Sequence, residues 1–180
     1  MFYPLDPTPE TIFVRDMAHA LSNVVRWGGH CGPYTVAQHA VVVSILAEFL
    51  AREAGIGECG AVQAARVGLH HEAAEAFGIG DVARPYYVAV PALREVHDRI
   101  LEAALASLGL PPAIPEVVQR ADDDLCRTEA VHFFGAVEVA SWNWKKGVNR
   151  PTFAPVRIWT HAQAEREFLE RHAALGLPLH

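Results

Sequence analysis

Long apolar runs are missing from this 180-residue sequence, and nothing approaches the ~18–20 consecutive residues that a membrane-spanning helix needs. Cysteine is scarce as well. Cys31, Cys59 and Cys126 stand far apart with no CxxC pair, so an odd count without a framework suggests reduced thiols in a cytoplasm-like compartment. The opening MFYPLDPTPE has neither the basic start nor the apolar stretch of a secretion signal. Basic residues are outnumbered, 15 Lys and Arg against 21 Asp and Glu, giving a formal charge of −6. That balance excludes the clustered Lys and Arg with which a protein wraps a nucleic-acid polymer. Alternating β-branched residues are almost absent too, apart from a short stretch near residues 156–159.

What is present is apolar character, 51% of the chain and spread along it, which suits one compact soluble domain over residues 1–180 and argues against large-scale disorder. Pro and Gly punctuate helical patterns. Residues 1–10 read as extended or turn-like, because three prolines each remove a backbone donor. A first helix is expected over about 11–25, followed by the loop GGHCGP. A second runs over about 34–53, with Thr35 as its cap and Val36, Ala40, Val43, Ala47 and Leu50 at helical spacing. A third is expected over about 61–77, an irregular segment over 78–91, and a fourth helix over about 92–108, ended by Gly109 and two prolines. A fifth covers about 115–139. A loop, SWNWKKGVNRPTFAP, then precedes a last helix near 163–175. The fold class is all-α.

Titratable residues at positions the helical period assigns to the core carry the functional information. His39 lies three residues after Val36 and four before Val43. His71 and Glu75 are four apart and share a face of a continuous helix, with Glu72 about 100° round from His71. Asp122 is four after Val118 and three before Leu125, whereas Asp123 and Asp124 turn to other faces. Two imidazoles and at least two carboxylates from three helices therefore aim inward. Burying one carboxylate without a partner costs several kcal/mol, so several together call for a compensating cation. Imidazole with carboxylate suits a transition metal better than calcium, and a helical-bundle interior commonly builds such a site. Each residue also has a plainer reading: His39 as a hydrogen-bonded core histidine, the run His70–Glu72 as the polar side of a helix, and Asp122–Asp124 as a solvated face.

The segments YTVAQHAVVVS, LHHEAAEAFGIGDVARP and QRADDDLCRTEA, preceded by DMAHALSNVVRWGGHC, together resemble the HD-domain metal-dependent phosphohydrolases, specifically the small single-domain bacterial and phage members. The family pattern is a His on one helix, a His-Asp doublet on the next and a distant Asp. The likeness covers about residues 5–135. It implies a compact helical HD-domain bundle with a metal site in its core, and His39, His71, Glu72 and Asp122 as ligands of a divalent cation (Mn, Co, Zn, Fe or Mg). This chain carries Glu72 where the family has Asp, which adds one methylene. Glu72 either still reaches the metal or marks a catalytically impaired nucleotide- or metal-binding module. The spacing from Glu75 to Asp81 is also one residue longer than in the family.

The resemblance further implies catalytic roles. Glu75 would orient or deprotonate water, Asp81 would position the nucleophile or assist the leaving group, and Arg26 would contact phosphate. Arg26 has the alternative of a surface residue at a helix end, Glu75 of a helix-surface residue and Asp81 of a turn cap. Trp27 would stack on a base beside Arg26, or else pack in the core. The substrate implied is a small-molecule deoxynucleotide, either a triphosphate or a 5′-monophosphate. No nucleic-acid polymer or membrane is expected as partner, the location is cytoplasmic, and a homo-oligomer is expected.

Overall fold

A computed structural model describes residues 2–142, 144 and 157–178. Among these residues there are eight α-helices and no strand, so the expected all-α class is what forms. They are α1 (Val14–Asn23), α2 (Val36–Glu53), α3 (Glu58–His70), α4 (Arg84–Ala89), α5 (Pro91–Ser107), α6 (Glu116–Phe134), α7 (Ala136–Val139) and α8 (His161–Ala174). None is long and apolar enough to cross a membrane.

α2 is the central element. Val36, Ala37, Ala40, Val43, Leu46 and Ala47 are all buried, and the Thr35 hydroxyl accepts the Gln38 N–H to satisfy one of the helix's free amides. α2 packs chiefly on α3, with α6, α8 and α1 around it. The α2–α3 crossing is close. A Cβ built at Gly68 would lie 3.2 Å from Ser44 Cα, so a residue without a side chain lets the two backbones approach. Two apolar clusters result. One joins α1, α5, α8 and the first turns of α2, and the other joins the C-terminal half of α2 to α3 and α6. Along α2, His39 lies within the stretch of the first cluster, and the changeover to the second falls between Val41 and Val43.

α8 closes the bundle with a Thr160–Gln163 capping box. Before it, the buried Gln38 amide accepts the Trp159 N–H and donates to the Arg157 carbonyl, each at 2.9 Å. His70 is fully buried against α8. Its Nδ1 bonds the Arg66 carbonyl at 2.8 Å, its Nε2 meets His172 Nδ1 at 3.0 Å, and burial holds it neutral, down to about 3. It packs rather than joining the cluster described below.

Four expected elements differ. The helix expected over 61–77 begins earlier, at Glu58, and stops at His70, after which Ala73–Phe77 forms a separate 3-10 turn ended by Gly78 at φ 100°. Residues 78–91 are not wholly irregular, because they contain α4. The helix expected over 115–139 breaks at Gly135, whose φ of 87° L side chains rarely adopt. The helix expected over 11–25 is shorter and follows a 3-10 turn, Pro9–Thr11. Most of the loop after Trp142, and Val156 of the short β-branched stretch, lie outside the described residues.

Candidate metal centre

Four of the side chains singled out in the sequence meet. One ligand atom each from His39, His71, Glu72 and Asp122 lies within 4.8 Å of all the others. α2 supplies His39, the end of α3 supplies His71 and Glu72, and α6 supplies Asp122. α3 ends at His70, His71 keeps helical angles, and Glu72, at φ −103°, ψ 17°, is where the chain leaves the helical path; its Oε1 lies 3.5 Å from His71 Nε2. The longer side chain therefore still reaches the cluster. For the same reason His71 and Glu75 do not sit on one face of a continuous helix.

Both imidazoles are tied from behind. His71 Nδ1–H donates to the Gly68 carbonyl at 2.7 Å, which leaves the Nε2 lone pair directed at the cluster. That nitrogen is buried and makes no hydrogen bond within the protein, with Glu72 Oε1 at 3.5 Å and Asp122 Oδ1 at 3.8 Å. His39 Nδ1–H donates to Glu129 Oε1 at 2.6 Å, and its Nε2 faces Asp122 Oδ1 at 3.1 Å. Burial opposes charge on His39, as does Arg26, yet Glu129 and Asp122 outweigh both and raise it to about 9. Burial likewise opposes ionisation of Asp122, but the His39 hydrogen bond and the neighbouring His71 imidazole hold it well below the ordinary carboxylate range. Two nitrogen and two oxygen donors, with one orphaned imidazole nitrogen, fit a divalent transition metal.

Glu129, fully buried, organises the rear of this cluster. It accepts from Tyr34 Oη at 2.7 Å and from His39 through Oε1, and from Arg26 Nε at 3.3 Å through Oε2. Arg26 is therefore not a surface residue at a helix end. It is 6% exposed, and its Nη1 lies 3.7 Å from Glu72 Oε1, at the edge of the cluster. Glu129 is not among the residues expected at the site, although it stands seven residues after Asp122, two turns on along the same stripe of α6. Asp124 is also buried, at 5%, beside Arg120 rather than on a solvated face.

No family model matches the chain. Over 142 residues it is 35% identical to a Rhodobacter capsulatus protein, RCAP_rcc00048, a stretch that makes up 74% of this chain and 69% of that one. The chain belongs to that protein's family. It is also similar to YfdR of Escherichia coli K12, 31% identical over 130 residues, which cover 71% of this chain and 65% of YfdR. The chain thus spans about two thirds of the length of these curated relatives, and both are described only as uncharacterized proteins.

In this member of the RCAP_rcc00048 family the remaining expected residues border the cluster. Glu75 is 5% exposed and shares a hydrogen bond with Glu72. Burial first, then the Glu72 charge, lifts Glu75 well above the ordinary range, so the proton of the pair resides on Glu75. Asp81 makes the kind of backbone bond that its turn-cap reading describes. Its Oδ2 accepts the backbone N–H of Trp27 at 2.9 Å. Trp27 is at φ 58°, a left-handed conformation unusual for a bulky residue, and Asp81 helps hold it there. The Trp27 ring packs on Phe134 and Trp142, with centroids 5.6 and 5.8 Å away.

Proposed function

We propose that this chain is a metal-dependent phosphohydrolase of the HD-domain kind, hydrolysing a phosphate bond of a deoxynucleotide. The observation that supports this best is the pairing of a two-imidazole, two-carboxylate cluster with a buried guanidinium at its edge, 3.7 Å from Glu72. His39, His71, Glu72 and Asp122 would hold Mn, Co, Zn, Fe or Mg, which supplies Lewis-acid charge where a phosphoryl oxygen binds. That Glu72 reaches the other three ligands favours a competent site over an impaired binding module.

The chain's own groups divide the remaining work. Arg26 stays protonated, held by Glu129 and Glu72, and offers its guanidinium to phosphate. Glu75 uses one oxygen on Glu72 and leaves Oε2 free to accept a hydrogen from the attacking water. Asp81 fixes the turn that presents Arg26 and Trp27, and Trp27, braced by Phe134 and Trp142, would stack on the base. The same reading expects a cytoplasmic homo-oligomer that takes a free nucleotide and neither a nucleic-acid polymer nor a membrane.

The test is a panel of deoxynucleoside mono- and triphosphates incubated with the purified protein and Mn, Co, Mg, Zn or Fe, with products resolved by chromatography. Dephosphorylation that requires the metal is expected. Metal bound without any product would remove the hydrolase reading.

A further inference from the structure

Arg84 reaches the candidate metal centre from α4. Its Nη2 donates to Asp122 Oδ2 at 3.3 Å and to Asp123 Oδ1 at 2.5 Å, so one guanidinium nitrogen bridges two successive residues of α6. Asp122 is one of the four ligands and Asp123 is not. The two oxygens of Asp122 are thereby divided. Oδ1 faces the imidazoles, 3.1 Å from His39 Nε2 and 3.8 Å from His71 Nε2, whereas Oδ2 is turned to Arg84.

The helix that carries Arg84 gains nothing from its charge. Arg84 is the first residue of α4, where a helix dipole favours an anion, and α4 has no buried residue. Nor does α4 depend on Arg84 for its place. The Tyr87 ring fastens it to α5, with the His97 ring centroid 5.3 Å away and the Arg94 guanidinium 5.6 Å from its own centroid. The Arg84 side chain is 59% exposed, so its ion pairs contribute little to the stability of the fold.

For a cation at the cluster the consequences are larger. A carboxylate binds a metal through one oxygen or through both. With Oδ2 held by a guanidinium, Asp122 offers Oδ1 alone. The guanidinium also has the same sign of charge as the cation and shares a carboxylate with it, so it opposes binding. Asp123, at the shorter distance, keeps Arg84 beside the cluster when a cation draws on Asp122.

We infer that Arg84 is a positioning residue that confines Asp122 to one-oxygen ligation, lowering metal affinity to keep a coordination position of the cation open for water or phosphate. This rests on the metal centre for its binding arm and on the hydrolase reading for its kinetic arm alone.

Arg84→Ala removes the guanidinium, and Arg84→Lys keeps the charge. In calorimetric titrations Arg84→Ala is expected to bind Co(II) about fivefold more tightly than wild type, because a like charge has gone. Arg84→Lys should return toward the wild-type affinity. The visible absorption of bound Co(II) should weaken in Arg84→Ala, as Asp122 engages with both oxygens and the coordination number rises. Without metal, its melting temperature should stay within about 3 °C of wild type. On a deoxynucleotide with saturating Co(II), kcat should fall about tenfold with KM nearly unchanged. A mere strut for α4 would lower both the melting temperature and the Co(II) affinity. A direct phosphate contact would raise KM and leave affinity and spectrum as they were. Either result overturns the inference. If wild type binds Co(II) but turns over no nucleotide, the hydrolase reading has failed and affinity with spectrum decides. Tighter binding with a weaker band then supports the inference, and unchanged or weaker binding overturns it.

Discussion

His71→Ala is expected to bring metal content from about one ion per chain to background and to lower kcat at least about a thousandfold, since the cation and its charge at the phosphoryl centre go together. Of the four ligands, His71 gives the cleanest probe. His39 and Asp122 are paired with each other and Glu72 with Arg26 and Glu75, so deleting any of them unbalances buried charge. His71 Nε2 approaches Glu72 and Asp122 at 3.5 and 3.8 Å without a hydrogen bond, and the bond lost from its other nitrogen is to the Gly68 carbonyl. The fold should therefore lose only about 1–2 kcal/mol, from the small cavity left. Chelation provides the control. At a cation concentration a hundredfold above its Kd, wild type should lose about 2.7 kcal/mol of stability on adding chelator, and His71→Ala should lose nothing.

Uptake should also depend on pH in a set direction. Without the cation His39 holds its proton up to about 9 and its Nε2–H donates to Asp122. A metal must displace that proton, so affinity should tighten by about tenfold per pH unit between 7 and 9 and level off above. Calorimetric titration at several pH values, with elemental analysis of both proteins, decides the matter. An alanine variant that keeps its metal, or affinity that weakens as pH rises, would remove this cluster as the binding site.

Glu129→Ala should produce the second large effect, this time on the fold itself. Burial opposes the Glu129 charge, and His39 and Arg26, with a hydrogen bond from Tyr34, hold it ionised all the same. Its removal strands a buried guanidinium, a buried imidazole and a buried phenol at once. Breaking a buried ion pair from one side typically costs about 3–5 kcal/mol, a large part of the ~5–15 kcal/mol by which domains are stable. Glu129→Gln keeps the shape and some hydrogen bonds, so it should lose less stability. It should still lower metal affinity about tenfold or more, because His39 is no longer oriented by a charged acceptor. Urea unfolding and metal titration of both variants test this, and an alanine variant within 1 kcal/mol of wild type would contradict it.

Which parts of this site could be read in advance follows from how local their signals are. His39 and Asp122 interrupt apolar stripes on long helices, where the 3.6-residue period is a strong guide, and both lie where that period points. The end of α3 gave no such warning. His71–Phe77 contains neither Gly nor Pro, and the periodicity continues straight through it. The break there is a tertiary event at the residue that stands beside His71 and meets His39 and Asp122, two partners distant in sequence. α4 is only six residues long, too short to show a period, and it lies in a proline-containing segment that reads as irregular. Glu129 sat on the visible stripe of Asp122 and Leu125, yet what makes it more than a surface carboxylate is Arg26, 103 positions away. Sequence spacing locates a side chain on a face but says nothing of its partner across the core.

The carboxylate of Glu129 is shared by three tenants, His39 and Tyr34 on one oxygen and Arg26 on the other. Enzymologists who truncate Arg26 to ask what grips the phosphate will therefore disturb the imidazole behind the cation as well, because the vacated oxygen is free to draw harder on His39. Kinetic constants for any such mutant gain their meaning only beside an inventory of how much metal each preparation retains.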